Sequence, residues 1–482
     1  MRREHTTDDT RTMSQDGSTS HFTSLLPGDD DTIVALATAP GRGAVALIRL
    51  SGARAVIIAR ALGAYASGQP EARHALRAML HDPHTHEPLD DVLVTWFAPP
   101  RSYTGEEVVE ITTHGGTIAP SRVQAACIAA GARPALPGEF TRRAVLNGRL
   151  DLLQAEAVAD IIDARTSAMQ EQALAQLDGG LSRRLLALRE DVVHLEALIA
   201  YDIDFPEEDD GPIARSRVTD AARSLRDALD ALLRTAPGGA LVRDGALVVL
   251  AGPPNAGKSS LFNALLGQSR AIVTAVPGTT RDAIEALLDR RPMPLRLVDT
   301  AGLRDTEDPV ERLGIEVSHR YLAEAHVVLA CGDHPDDVMR TFDVVRTRTT
   351  GAVLAVRTKW DLREGDGWVG HRDALRDVLC VSAETGAGLA ELLAAIDRAI
   401  QDTAPVSTTG DVVITRERHR HGLTRARDEV TAFLEVWSAQ ALPAPVAAVH
   451  LLSARDALGE LIGTIDTEDV LDRVFRDFCI GK

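Results

Sequence analysis

The sequence predicts a multidomain α/β protein: an α/β unit inserted into a helical domain, with an α+β domain preceding both. Three observations predict it. An apolar run at 246–251 (ALVVLA) leads straight into a glycine loop and then a helical pattern. Stretches with apolar residues three and four apart lie on both sides of that region. Short strand-like runs separated by turn residues fill the N-terminal part of the chain. The expected spans are an extension at 1–30, an α+β domain at 31–149, helical halves at 150–244 and 402–482, and the inserted α/β unit at 245–401. Domain termini lie close together, so insertion of a whole unit is tolerated.

Within 31–149, strands are expected at 32–38, 43–50, 92–97 and 108–112, the last two joined by a turn around 99–105; helices fit 53–62 and 120–130. After 150, Leu174, Leu177, Leu181, Leu185, Leu188, Val192, Leu195 and Ile199 share one helical face. Gly179 and Gly180 weaken that helix, and FPEEDDGP at 205–212 ends it. Another helix covers 218–233, APGG at 236–239 reads as a linker, and helical character resumes near 415.

Composition narrows the function. The 482 residues are 45% hydrophobic and 25% charged, the balance of a globular chain with buried cores. Lys+Arg 52 against Asp+Glu 70 gives a net charge of -18, which argues against a broad nucleic-acid or membrane-binding face. An RNA substrate would need a local patch or a partner to supply the attraction. Cys127, Cys331, Cys380 and Cys479 are far apart, which suggests a reducing compartment and no cysteine zinc site. Residues 1–30 are rich in Thr, Ser and Asp without an apolar h-region, so a disordered extension is expected rather than a signal peptide. No apolar run reaches about 18 residues, and the expected location is cytoplasmic.

The strand at 246–251 runs into Gly252-Pro253-Pro254-Asn255-Ala256-Gly257-Lys258-Ser259, a match to G-x-x-x-x-G-K-[ST]. Such a loop wraps phosphate oxygens with backbone N–H groups from Asn255 to Ser260. Lys258 reaches the outer phosphates and Ser259 offers a hydroxyl to magnesium. Asp299-Thr300-Ala301-Gly302 follows the strand 295–298, as expected of a metal-side Asp and a glycine amide that senses the terminal phosphate. Between them, GTTRD at 278–282 sits where a switch loop supplies a second magnesium hydroxyl, from Thr280, with Thr274 earlier in the same loop. Thr358-Lys359-Trp360-Asp361 follows the strand 353–356. An Asp there accepts from the amino and imino groups of guanine, which adenine does not offer. Ser382-Ala383-Glu384, after the strand 378–381, completes the base contacts. These ordered motifs specify GTP over ATP. Thr358 stands where the guanine motif usually starts with Asn.

Ras-type GTPases place a glutamine just after the Asp-Thr-Ala-Gly motif to orient water; here the residue is Leu303, which has no polar atom to do so. Asn255 and the loop AIVTAVPGTT at 271–280 suggest a cage for a monovalent cation beside the β and γ phosphates, taking the place of an arginine finger. Glu311 in LRDTEDPVERLG is the candidate for positioning water; the competing reading is a solvated acid at a helix start.

GPPNAGKSSLFNALLG, AIVTAVPGTTRD, DTAGLRDTEDPVERLGIE and the terminal FCIGK resemble the MnmE (TrmE) family of tRNA-modification GTPases. DTIVALATAPGRGAVALIRLSG, SYTGEEVVEITTHGG and PGEFTRRAVLNGRLDLLQAEAVADIID resemble it too, so the likeness spans 31–482. The resemblance implies a homodimer that works with an MnmG-like flavoprotein, in a heterotetramer, to modify carbon 5 of the wobble uridine of certain tRNAs. It implies a tetrahydrofolate derivative as one-carbon donor, held by a folate-binding-like N-terminal domain through Arg49, Glu110, Arg149 and Lys482, Arg149 standing where members often have Lys. It also implies magnesium on Ser259 and Thr280, potassium on Asn255, Thr274, Val276 and Thr279, and Glu311 as the catalytic glutamate.

Other signals carry less. His81, His84 and His86 lie in a Pro/Asp turn and are read as compositional, not as metal ligands. The basic ITRERHRHG at 414–422 is read as a solvated helical face rather than a contact for tRNA or the flavoprotein partner, and Cys479 is open to two readings, a catalytic thiol or a small residue packed at a helix end. A ribosome-assembly or RNA-binding GTPase is the alternative function, but it calls for a basic RNA module that this acidic chain does not show.

Overall fold

The computed structural model describes residues 30–66, 68, 70–204, 214–268, 271–273, 283–300, 319–362, 378–404, 413–439, 443–464, 474–475 and 478–481. The chain divides into two units, Met1–Leu150 with Asp466–Lys482, and Asp151–Ile465.

The first unit is built on six strands: β1 (Ile33–Leu36), β2 (Val45–Ser51), β3 (Ala75–His81), β4 (Pro88–Phe97), β5 (Val108–His114) and β6 (Arg133–Pro134). They form one sheet of order β3-β4-β5-β2-β1-β6. Alternation sends Val34, Ile48, Leu50, Val94 and Ile111 to one face, where helices α1 (Ala55–Ala61) and α2 (Ile118–Ala129) cover them with Ile58, Val123 and Cys127. Each such large side chain contributes about 1.5–3 kcal/mol on burial. Helix α3 (Glu139–Leu146) adds Phe140 to a smaller cluster with Ile33 and Ala35. The edge strand β3 was not expected from the sequence. Most of its side chains stay exposed, so ALRAMLH carries almost no core signal.

In the second unit, helices α4 (Leu152–Asp163), α5 (Ser167–Leu177), α6 (Gly180–Asp204), α7 (Arg215–Leu233) and α8 (Ala236–Asp244) precede the inserted sheet. Two more, α12 (Glu417–Ala439) and α13 (Ala444–Ile462), follow it. One core joins the two halves: Leu185, Val192 and Leu195 of α6 and Leu225 and Leu229 of α7 pack with Leu423 and Phe433 of α12 and Leu451 and Leu458 of α13. Three expectations are corrected here. The helix expected through Gly179 is broken there, at φ 81, and Leu174 is 49% exposed, off the shared face. The APGG linker is the first turn of α8. A Cβ on Gly239 would lie 2.1 Å from the Ile414 carbonyl oxygen, so the glycine permits close packing rather than flexibility. The ITRERHRHG stretch is only partly solvated: Arg416 pairs with Asp160 at 2.6 Å, Arg418 with Glu156 at 2.9 Å, and His419 is buried against Glu156.

In the inserted sheet the central strands β7 (Ala246–Ala251), β10 (Leu295–Thr300), β11 (Val327–Gly332) and β12 (Ala352–Arg357) run parallel. At one edge lies β13 (Leu379–Cys380); at the other, β9 (Ala283–Leu288) and β8 (Ala271–Val273) form an antiparallel ribbon. The strand order is β13-β12-β11-β7-β10-β9-β8. Every residue of β7 is buried because both faces are covered. On one side Val248 and Leu250 meet helices α9 (Lys258–Gly267) and α11 (Leu389–Thr403) through Leu261, Phe262, Leu392 and Ile396; on the other Leu247 and Val249 meet Leu322 and Val345, the latter on α10 (Pro335–Arg346). Among the described residues, no helix is long and apolar enough to cross a membrane.

Candidate nucleotide site

The loop after β7 is shaped by its glycines. Gly252 passes so close to Cys331 that a Cβ would lie 2.3 Å from its carbonyl oxygen, and Gly257 caps α9 at φ 77. The first amides of α9, from Lys258 to Ser260, have no carbonyl partner within the helix and carry its positive dipole end. Lys258 Nζ donates to the carbonyls of Gly252 and Pro253, both at 3.0 Å. Burial pulls the Lys258 ammonium below its ordinary value, while Asp299 nearby pushes it back up. Beside it, burial pushes the Cys331 thiol up to about 12, so it remains a neutral packing group.

Asp299 sits next to the C-terminal end of β10, in register with Leu250 of β7. Ser259 Oγ donates to Asp299 Oδ2 at 2.6 Å, and Asp299 Oδ1 is buried with no hydrogen-bond partner among the described residues. A hydroxyl and a carboxylate with a spare buried oxygen form a donor set suited to a hard divalent cation.

The base side rises from β12. Thr358 is buried; its amide donates to Gly332 O at 2.9 Å and its hydroxyl to Ala256 O at 2.6 Å. The threonine in place of Asn therefore ties this loop to the phosphate loop with a short side chain. Lys359, at φ 52, donates from Nζ to Asn255 O at 2.6 Å and to Asp333 Oδ2 at 3.1 Å. The exposed Asp361 lies in a 3₁₀ turn, Trp360–Leu362, where its Oδ1 accepts from Ser382 Oγ at 2.6 Å. Ser382 Oγ in turn accepts from the Thr385 amide at 3.1 Å, in the turn that also carries Ala383 and Glu384. The fold thus links residues 255–260, Asp299, 358–361 and 382–384 through direct hydrogen bonds and short loops. Thr300 ends β10. Thr274, Val276, Thr279, Thr280, Ala301, Gly302, Glu311 and Lys482 lie outside the described residues.

A second cluster lies in the first unit. Arg49 on β2 faces Glu110 on β5, and its Nε and Nη2 reach Oε1 at 3.0 and 2.7 Å. Its guanidinium carbon lies 5.2 Å from the Tyr103 ring centroid, and Nη1 is 3.5 Å from Gly481 O, next to Lys482 in sequence. Arg149 donates from Nε to the carbonyl of Ser102, the residue before Tyr103, at 3.2 Å. Cys479 is exposed and its carbonyl accepts from the Gly138 amide at 3.3 Å, so of the two readings offered for it the packed residue does not hold. Sequence reasoning missed the adjacent ionic network, in which buried Arg143 bridges Glu139 and Glu106 and Arg133 also grips Glu139. Burial raises the Glu139 carboxyl, but Arg133 and Arg143 hold it below its ordinary value. The signal was the run EFTRR, whose i,i+4 spacing pairs Glu139 with Arg143. Around His81, Asp82 Oδ1 accepts from the His84 and Thr85 amides in a tight turn. No group of three potential metal ligands occurs among the described residues.

Two family models match. The MnmE helical domain covers residues 152–479 and the GTP-binding protein TrmE N-terminus covers residues 32–149. A relative from Moorella thermoacetica is 42% identical over 470 residues, covering 94% of this chain and 100% of its own length. Relatives from Methylobacterium radiotolerans and Akkermansia muciniphila are 44% and 41% identical, each covering 94% of this chain and 100% and 99% of their own lengths. All three are named tRNA modification GTPase MnmE. The chain belongs to the MnmE family of GTPases.

Proposed function

We propose that this GTP hydrolase drives the modification of wobble uridine in certain tRNAs, acting with an MnmG-like flavoprotein. The observation that carries the nucleotide half of this reading is the linked set Lys258, Ser259, Asp299, Thr358 and Asp361, joined by the Thr358–Ala256 and Ser259–Asp299 bonds. Asp361 reads the guanine edge, steadied by Ser382, while Lys258 and the amides of Asn255 to Ser260 hold phosphate oxygens. Ser259, Thr280 and Asp299 hold magnesium, which when bound neutralises phosphate charge. The Asn255 side chain, exposed at the loop tip, joins Thr274, Val276 and Thr279 in holding potassium. Glu311 orients the attacking water, a task Leu303 has no group to perform.

In the N-terminal domain, Arg49, Glu110, Arg149 and Lys482 hold the tetrahydrofolate derivative. The Arg49–Glu110 pair beside Tyr103, with Gly481 at the same guanidinium, supports this because it offers an aromatic face, an acid for amino groups and a cation for carboxylates. The domain spans 31–149, 150–244, 245–401 and 402–482, the homodimer and the cytoplasmic location belong to the same proposal. At a net charge of -18, the partner supplies much of the attraction for tRNA. Deleting the gene and analysing tRNA nucleosides by mass spectrometry tests the reading: loss of the carboxymethylaminomethyl-type group at wobble uridine is expected, and unchanged wobble uridines would sink it.

A further inference from the structure

We propose that buried Arg357 and the half-buried Trp360 ring form a cation–π clamp that positions Asp361 and so sets how tightly guanine is read. The proposal rests on the reading of Asp361 as the base-reading carboxylate. Arg357 ends β12, whose other residues, Ala352 to Val356, are all apolar, and it is only 2% exposed. Taking a guanidinium out of water is costly, and an aliphatic residue would fill the same space at no such cost. Part of that cost is offset by a contact that only a cation can make. Its guanidinium carbon stands 4.6 Å from the centroid of the Trp360 ring, within the range where a desolvated cation–π contact is strongest.

The contact bears directly on the base-reading turn. The Val381 amide donates to Arg357 O at 2.8 Å and the Trp360 amide donates to Val381 O at 3.1 Å, so one residue on the neighbouring segment holds both partners in register. The next residue on that segment is Ser382, whose hydroxyl fixes Asp361. The Leu362 amide returns to Lys359 O at 3.1 Å and closes the turn. These backbone bonds fix the ends of the turn, while the ring resting on Arg357 fixes its rotation and hence the direction of the Asp361 carboxylate. Arg357 touches no substrate in this scheme and is a positioning residue.

The test uses the full-length protein and measures affinity and turnover for GTP and for inosine triphosphate, which lacks the 2-amino group. Arg357→Met and Trp360→Leu are expected to weaken GTP binding by about 10-fold, leaving kcat at saturating GTP nearly unchanged. The preference for GTP over inosine triphosphate shrinks, because a loosened Asp361 gains less from the 2-amino group. Arg357→Lys and Trp360→Phe retain most of the affinity, and the double variant Arg357→Met/Trp360→Leu binds no worse than the weaker single variant. If Arg357→Met does not fold, Trp360→Leu, in a half-buried turn position, carries the same comparison. Asp361→Asn separates the two readings by shifting preference toward xanthosine triphosphate. Absence of that shift removes the base-reading role of Asp361. Presence of the shift, with parent-like nucleotide preference in Trp360→Leu or with additive losses in the double variant, overturns the clamp.

Discussion

Glu156→Gln should loosen the helical domain far more than its near-isosteric change suggests. Glu156 lies on α4 and is 2% exposed. Arg418 Nε and Nη2 donate to its two oxygens, each at 2.9 Å, and His419 Nε2 lies 2.6 Å from Oε2. His419 Nδ1 is buried without a partner among the described residues; burial lowers the ring's pKa, while Glu156 pushes it back up. The carboxylate answers both the Arg418 guanidinium and the His419 ring. Burial alone would raise the Glu156 carboxyl, but His419 and Arg418 beside it hold it far below the carboxylate range. A glutamine leaves Arg418 without its counter-charge and turns an NH₂ toward a donor. Removing one partner of a buried pair costs about 3–5 kcal/mol. The lower end applies because the Arg418 side chain is 25% exposed and can rehydrate. At about 1.4 kcal/mol per decade, amide protection in α4 and α12 should fall by about two decades near neutral pH. Hydrogen exchange with mass spectrometry reads those two helices separately from the inserted sheet. The depressed carboxyl contributes stability that is fully present above the unfolded value of about 4.3 and is lost as pH falls toward the folded value. The gap between parent and variant should therefore be constant from pH 8 to about 5 and narrow below about 4. Unchanged protection of α4 and α12, or a gap that does not narrow in acid, refutes the reasoning.

Thr358→Ala removes the hydroxyl that ties the base-reading loop to Ala256 O and should weaken GDP and GTP binding by about 1–2 kcal/mol, while Thr358→Asn should bind at least as well as the parent; titration with a fluorescent nucleotide decides it. Gly239→Ala puts a Cβ 2.1 Å from Ile414 O and should cost at least about 1–3 kcal/mol, seen as a lower thermal midpoint; an unchanged midpoint would mean the close approach relaxes freely. Glu311→Ala should leave nucleotide binding intact and slow turnover by roughly 10²–10⁴-fold, and lost binding would instead assign it a structural role. GTP hydrolysis should run faster in potassium than in sodium at equal ionic strength, and equal rates would remove the cation cage.

What the sequence made legible is what local chemistry dictates. The phosphate loop reads directly because Gly252 and Gly257 are demanded by a close approach and a left-handed cap, whatever surrounds them. The strand β7 reads directly because burial on both faces leaves an unbroken apolar run. Elements that owe their form to distant partners did not read. The α8 helix looks like a linker until Ile414, far along the chain, is packed against Gly239. Arg416, Arg418 and His419 look like solvent charge until Asp160 and Glu156 meet them. Arg49 and Glu110 carry no local pattern at all; the family resemblance points to them, and only strand register puts them face to face.

These same distant partners explain how an α/β unit can sit inside a helical bundle without dissolving it. The chain leaves the bundle through α8 and returns at 413–415, and the two crossings touch: Gly239 abuts Ile414, and the Ile414 amide donates to Thr235 Oγ1 at 3.1 Å. Immediately after the return, Arg416, Arg418 and His419 lock onto α4 from the outgoing half. With exit and entry sutured side by side, closing the bundle core costs the same ordering whatever lies between them. Neither half can close that core alone, because Leu225 and Leu229 of α7 need Leu423 and Phe433 of α12 as their cover. The bundle core therefore draws on both halves, and the contacts at Thr235, Gly239 and Ile414 lie where the chain leaves the bundle for the inserted sheet and returns from it.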